Sequence, residues 1–128
     1  MVFDKTCADA RKIKMYYSDL KRIGYDCRMV YVSASLDNAQ NRNAQRARKL
    51  PPEIVEKDWK RSQKNLKMMQ GIFGKDLMII TNDDTIESLN AKTSSAFSKL
   101  MSWSTTFPKN KAASLWKQRQ ILTKKNYK

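Results

Sequence analysis

A chain of 128 residues fits one domain, and 26 Lys and Arg against 12 Asp and Glu give it a net charge of +14, which favours anionic partners. The absence of His excludes catalysis through an imidazole, and two cysteines without CxxC spacing provide no metal site, so no metal-binding residues are predicted. No apolar run approaches the roughly 20 residues of a membrane span and no signal-peptide core is present, so we expect a cytoplasmic protein that does not enter the membrane.

Short apolar runs alternate with helix-period segments along the chain, which is the pattern of an α/β domain with parallel strands. Strands are predicted near 2–4, 28–32 and 77–81. The last two are apolar throughout, which is typical of strands covered by helices on both faces. Between the first two strands, apolar residues from 8 to 23 recur at helical spacing, and Gly24 fits the end of that helix.

Two helical segments, separated at Pro51 and Pro52, are predicted between the second and third strands. In the first, Arg42, Arg46 and Lys49 form a basic stripe at helical spacing. The second is predicted over 52–73.

A polar turn at 82–84 follows the third strand, and Asp84 with Glu87 predicts a helix start of the capping-box kind. A basic helix is predicted within 107–128. We interpret the whole chain, 1–128, as a single domain.

The segment 36–51 carries the most chemistry. Several guanidiniums on a short helix that ends at a proline hinge can close over a polyphosphate, because each offers a planar fork of donors that stays charged. The alternative interpretation of Arg42, Arg46 and Arg48 is a solvated basic helix face.

The order of several short motifs resembles the C-terminal part of P-loop kinases of the zeta-toxin and polynucleotide-kinase type, in particular those carried by tailed phages. The resemblance covers nearly the whole chain and implies a partial P-loop kinase-like sheet flanked by helices, with 36–51 as a lid-like segment. It rests on Asp4-Lys5-Thr6, Gly24-Tyr25-Asp26, Arg42-Asn43-x-x-Arg46, Arg48-x-Leu50-Pro51, Ile54-Val55 and Trp59.

The resemblance implies an ATP-dependent phosphotransferase with Mg²⁺, in which the lid arginines contact the triphosphate. Arg42 and Arg46 would then be catalytic, with Arg46 the better candidate for the charge of the transferring group. Arg48 is a further phosphate-binding candidate.

The same resemblance implies roles outside the lid-like segment. It places Asn82 and Asp83 in a loop that borders the nucleotide base, and Asp4 and Thr6 on the substrate side. It also implies the cytoplasm of a bacterium or of a phage-infected host. The acceptor, either a polynucleotide 5′ end or a small sugar or nucleotide, stays open.

The chain contains no Gly-x-x-x-x-Gly-Lys-Ser/Thr run, so the backbone that cradles phosphates and the hydroxyl that holds magnesium are missing. We therefore expect a C-terminal portion of the fold that is inactive alone. If the family's strand order applies, the missing strand would lie between the strands near 2–4 and 28–32. Those strands would then pair directly, or another chain would supply the missing strand; instability or association is expected.

Two other functions are compatible with the sequence. The charge fits a small basic protein that binds nucleic acid without catalysis and with a steep salt dependence. An exposed sheet edge would instead fit an interaction module that accepts a strand from a partner.

Overall fold

A computed structural model of the protein describes residues 1–126 and has an α/β architecture, as predicted. Within this part of the chain, helices surround a parallel sheet of two strands. The elements are α1 (Ala10–Arg22), β1 (Met29–Ser33), α2 (Leu36–Gln45), α3 (Pro52–Phe73), a 3-10 turn (Gly74–Asp76), β2 (Leu77–Thr81), α4 (Ile86–Ser104) and α5 (Lys111–Asn126).

The helix starts follow local capping chemistry. Asp9 accepts hydrogen bonds from the first amides of α1, Ser35 caps α2, and Thr85 caps α4 through the amide of Ser88. The expected capping-box start at Asp84 is therefore wrong by one residue.

The two strands lie in parallel, with Met29 opposite Leu77 and Ser33 opposite Thr81. One sheet face packs on α3, because the Tyr31 hydroxyl donates to the Ser62 carbonyl at 2.8 Å. The Trp59 indole likewise donates to the carbonyl of Ala34 at 2.8 Å. These bonds fix the position of α3 along β1.

The core is small and lies between α1, α3 and the sheet. Met69 is fully buried, and Tyr31, Phe73 and Ala10 surround it. Tyr17 packs on Phe73 edge to face, with ring centroids 5.0 Å apart. Large apolar side chains elsewhere remain exposed, so the sheet and α3 provide most of the burial.

The predicted strand near 2–4 is not formed. Val2 is 93% exposed, and the Phe3 ring stacks on Tyr16 of α1 instead. A strand exists only where a neighbouring backbone completes its hydrogen bonds, and the described residues provide none beside this segment. Direct pairing of 2–4 with β1 is therefore not observed.

Segment 1–9 is held by a side chain of α3. Buried Asn65 donates from Nδ2 to the carbonyls of Cys7, at 2.9 Å, and Ala8, at 3.3 Å. Cys7 has a φ of 55° and turns the chain into α1.

α2 ends at Gln45, five residues before the predicted end of its helical pattern. Arg46 has extended backbone angles, and residues 46–48 form a bend. Arg42, Arg46 and Lys49 therefore do not form one helical stripe, which corrects that prediction. The chain turns here because the side chain of Asn43 binds the backbone of Leu50.

The final helix begins after 107–110 and is anchored by Asn110. The Asn110 side chain accepts from the amide of Ala113 and donates to the carbonyl of Gly24. Gly24 has a φ of 108°, and a Cβ there would lie 3.3 Å from the Ala113 nitrogen, so glycine permits this close approach. Residues 127 and 128 of the predicted helical segment 107–128 lie outside the described residues. None of the helices described here is both long enough and apolar enough to cross a bilayer.

Candidate functional site

The carboxyl ends of β1 and β2 meet at one edge of the sheet, where ligands bind in open α/β folds. Two residues separate β1 from α2, and the loop 82–85 follows β2. The two connections are joined directly, because the Asn82 amide donates to the Ser33 carbonyl at 2.7 Å.

Asp83 lies at the start of α2. Its Oδ1 accepts from the Asn38 side chain and from the Ser35 amide, each at 2.8 Å. These bonds, that of Asn38 first, hold the pKa of the Asp83 carboxyl below its usual range. The chain's own carboxylate thus compensates the positive end of α2.

Arg42 reaches from α2 to the same loop. Its Nη2 donates to the backbone carbonyl of Asn82 and to the Asn82 side-chain oxygen, the latter at 3.3 Å. Nε and Nη1 donate no hydrogen bond within residues 1–126 and Arg42 is exposed, so these two donors are free for a ligand. The structure therefore brings together three residues that the sequence analysis assigned separately: Arg42, Asn82 and Asp83.

Arg46 and Arg48 lie on the segment that follows α2. Both are exposed, and neither forms an ion pair with the acidic residues that the structure describes. The hydrogen bonds of 1–126 do not join either arginine to the Asn82 loop. These two cations are presented to solvent beside the anchored Arg42.

Asn43 determines the path of that segment. Its Nδ2 donates to the Leu50 carbonyl at 2.8 Å, and its Oδ1 accepts from the Leu50 amide at 3.0 Å. Gln40 additionally donates to the Pro52 carbonyl at 2.9 Å, which ties α2 to the start of α3. The loop carrying Arg46 and Arg48 is therefore pinned at both ends.

Asn43, Asn38 and Ser35 hold the arginine segment and Asp83 in place, although no role was predicted for them from the sequence. A signal was available for Asn43, which sits in the Arg-Asn-x-x-Arg motif and in a helical stripe of otherwise apolar residues. A polar side chain on such a stripe requires partners where it is buried. Asn38 and Ser35 carry only the general signal of a helix start.

Next to this cluster, Lys92 of α4 contacts the carboxylate of Asp84 and the Thr81 hydroxyl, the latter at 3.0 Å. The hydrogen bond from Lys92 and its charge lower the pKa of Asp84. This ion pair fixes α4 against the end of β2.

Asp4 and Thr6 lie on segment 1–9 and are exposed. The hydrogen bonds and ion pairs of 1–126 do not connect them to the Arg42 cluster. Because their predicted strand is not formed, the structure does not bring these two residues to the edge of the sheet.

The residues present fit an anionic ligand better than they fit a metal ion. Open guanidinium donors suit phosphate oxygens. Within 1–126, no three His, Cys, Asp or Glu side chains are grouped to hold a metal ion. The sequence also contains no phosphate-loop hydroxyl of the kind that binds Mg²⁺.

A family model described as an AAA domain matches residues 1–69, which is more than half of the chain. The chain belongs to this AAA-domain family. The match covers α1, β1, α2 and most of α3, and therefore includes Arg42, Arg46 and Arg48. It identifies a P-loop NTPase-like domain of the nucleotide-binding, kinase-like kind. No curated protein and no solved structure matches the chain.

Proposed function

We propose that this chain provides the arginine side of a nucleoside triphosphate site in an ATP-dependent phosphotransferase of the zeta-toxin and polynucleotide-kinase type. The observation that carries the proposal is the position of Arg42. It projects from the lid-like segment to the carboxyl edge of two parallel strands, where Asn82 holds Nη2 of its guanidinium and leaves Nε and Nη1 free. A fixed guanidinium binds phosphate oxygens with little loss of side-chain freedom.

The three arginines have different tasks in this proposal. Arg42 is anchored and directs Nε and Nη1 toward the triphosphate. Arg46 and Arg48 are exposed on the neighbouring loop. When nucleotide is bound, the Arg46 side chain turns toward the transferring phosphoryl group and stabilises its charge. Asn82 and Asp83, which border Arg42, would face the nucleotide base.

A segment from outside the described residues has to supply the phosphate loop and the magnesium-binding hydroxyl in this proposal. β1 has an edge without a partner strand within 1–126, and its Val30 and Val32 are exposed on one face of the sheet. We propose that the strand bearing the phosphate loop pairs there. The chain by itself would bind triphosphate weakly and would not transfer phosphate.

The acceptor is a hydroxyl, on a polynucleotide 5′ end or on a small sugar or nucleotide. Asp4 and Thr6 would lie on the acceptor side, which requires segment 1–9 to rearrange when the missing strand is present. The reaction is proposed to take place in the cytoplasm of a bacterium or of a phage-infected host.

Calorimetric titration with ATP tests the arginine roles. A charge-assisted hydrogen bond contributes about 1.5–3 kcal/mol, so Arg46→Ala should weaken ATP binding by about 10-fold or more. Arg119→Ala removes the same charge from the exposed face of α5 and should change the affinity less than about 2-fold, as expected from screening.

The variant Arg42→Lys distinguishes the contribution of the guanidinium geometry to ATP affinity from that of the positive charge alone. The lysine retains the charge but not the planar guanidinium that can bind Asn82 and a phosphate oxygen at once, so the affinity for ATP should fall nearly as far as in Arg42→Ala. Equal losses for Arg46→Ala and Arg119→Ala would instead indicate diffuse attraction of polyanions. That result would overturn the lid proposal and favour a basic nucleic-acid-binding protein.

A further inference from the structure

A second groove lies at the amino edge of the sheet, away from the Arg42 cluster. Arg28 immediately precedes β1 and Asp76 immediately precedes β2, and both line the groove. The five-residue strands separate the two edges by roughly 13 Å along the sheet. α4 and the connection to α5 form the other wall, and the groove encloses about 740 Å³.

Positive charge dominates this groove. Its lysines at 75, 99 and 109 make no ion pair with the acidic residues of 1–126. The carboxylates in the groove are already engaged, because Arg28 lies 3.7 Å from Asp76, and Asp26 accepts from Asn110 and from the Lys109 amide. Three cations therefore remain without a carboxylate partner.

An aromatic ring stands among these cations. Trp103 lines the groove from α4 and is partly exposed, and the Arg28 guanidinium lies 4.9 Å from the centre of its ring. Ser98 and Ser102 lie one helical turn apart on the same wall. The groove thus combines lysines, hydroxyl donors and an indole.

We propose that this groove binds a short segment of single-stranded nucleic acid. The lysines contact successive phosphates, the serine hydroxyls donate to phosphate oxygens, and a base stacks on the exposed part of the Trp103 ring. This combination of unpaired cations with an aromatic platform is the one that binds single strands without sequence preference. An acidic peptide would use the cations and leave the indole without a planar partner.

The groove is independent of the proposed triphosphate site, since its residues lie at the opposite edge of the strands. It would hold a nucleic acid on the protein whether or not phosphate transfer occurs. Binding here and binding of ATP at Arg42 can therefore be measured and lost separately.

Fluorescence anisotropy of a labelled 12-nucleotide oligothymidylate, measured over a range of salt concentrations, tests the cationic part. The logarithm of affinity for single strands falls with the logarithm of salt by about 0.7 per phosphate contact. The triple variant Lys75→Ala, Lys99→Ala and Lys109→Ala should reduce that slope by about 2. It should weaken binding about 100-fold at 0.1 M salt.

The matched control replaces three exposed lysines on α1 and α3, at 14, 64 and 67, with alanine and removes the same net charge. It should leave the slope nearly unchanged. Circular dichroism verifies that both variants are folded. Equal changes in slope for the two triple variants would overturn the groove as the binding site.

Tryptophan emission tests the aromatic part. Oligothymidylate should quench the emission of the protein, and Trp103→Phe should remove most of that quenching while retaining an aromatic ring. Trp116→Phe, at a ring that is 59% exposed on α5, should not. Quenching that survives in Trp103→Phe, or a sulfated oligosaccharide of equal charge that binds as tightly as the oligonucleotide, would refute nucleic-acid binding in the groove.

Discussion

Replacement of Asn43 by alanine should release the loop that carries Arg46 and Arg48. The side chain is 8% exposed and forms two hydrogen bonds with the backbone of Leu50, at 2.8 and 3.0 Å. A neutral hydrogen bond contributes about 1 kcal/mol, and both bonds are lost together. The free energy of unfolding should therefore fall by about 2 kcal/mol, which is a large share of the stability of a small domain.

Two measurements check this expectation. Urea unfolding followed by circular dichroism gives the change in the free energy of unfolding. Amide hydrogen exchange gives the local effect, and the Leu50 amide should exchange roughly 30-fold faster, since about 2 kcal/mol corresponds to that factor.

Asn41→Ala is the matched control, because Asn41 is exposed on the same helix and makes no side-chain hydrogen bond within 1–126. It should change the stability by less than about 0.5 kcal/mol. Equal stabilities of the two variants, or an unchanged exchange rate at Leu50, would show that Asn43 does not pin the loop.

Three further expectations follow from the packing. Met69→Ala should lower the free energy of unfolding by about 2–5 kcal/mol in chemical denaturation, because Met69 is fully buried. Asp26→Asn should destabilise the protein at pH 7. The hydrogen bond from Asn110, followed by that of the Lys109 amide, holds the pKa of Asp26 below its usual range. Its contribution is therefore present at neutral pH and is lost as the pH falls through this lowered pKa, so thermal melts of the two proteins should converge in acid. Replacing Val30 and Val32 by lysine should abolish concentration-dependent association in analytical ultracentrifugation, and association that persists would mean that the open apolar face of β1 is not the contact.

Elements with strong local signals were predicted with their boundaries. α3 spans 52–73 as predicted, because a proline starts it and Gly74, with a φ of 53°, ends it. β2 spans 77–81 as predicted, and β1 runs over 29–33 against a prediction near 28–32. A short apolar run between a helix end and a polar turn was sufficient to predict each of these strands.

Features that depend on specific side-chain contacts were not predictable from the sequence. The end of α2 is determined by hydrogen bonds between Asn43 and Leu50, which override the helical spacing of the arginines. The contact between Arg42 and Asn82 joins residues 40 positions apart. The resemblance identified both as site residues, but nothing in the pattern predicted that one would hold the other.

β1 is covered on one face only, and the segment near 2–4, which resembles a strand in sequence, does not pair with it. Continuous apolarity predicted that helices would cover both faces of β1, yet only Tyr31 is buried while Val30 and Val32 are 37% and 60% exposed. A strand with an open edge and an open apolar face requires both a neighbouring strand and a covering helix. A phosphate-loop unit consists of a strand, a loop and a helix, and could supply both at once. Under the proposed function, segment 1–9 would gain a pairing partner when such a unit is in place, which would account for the strand that is not formed near 2–4.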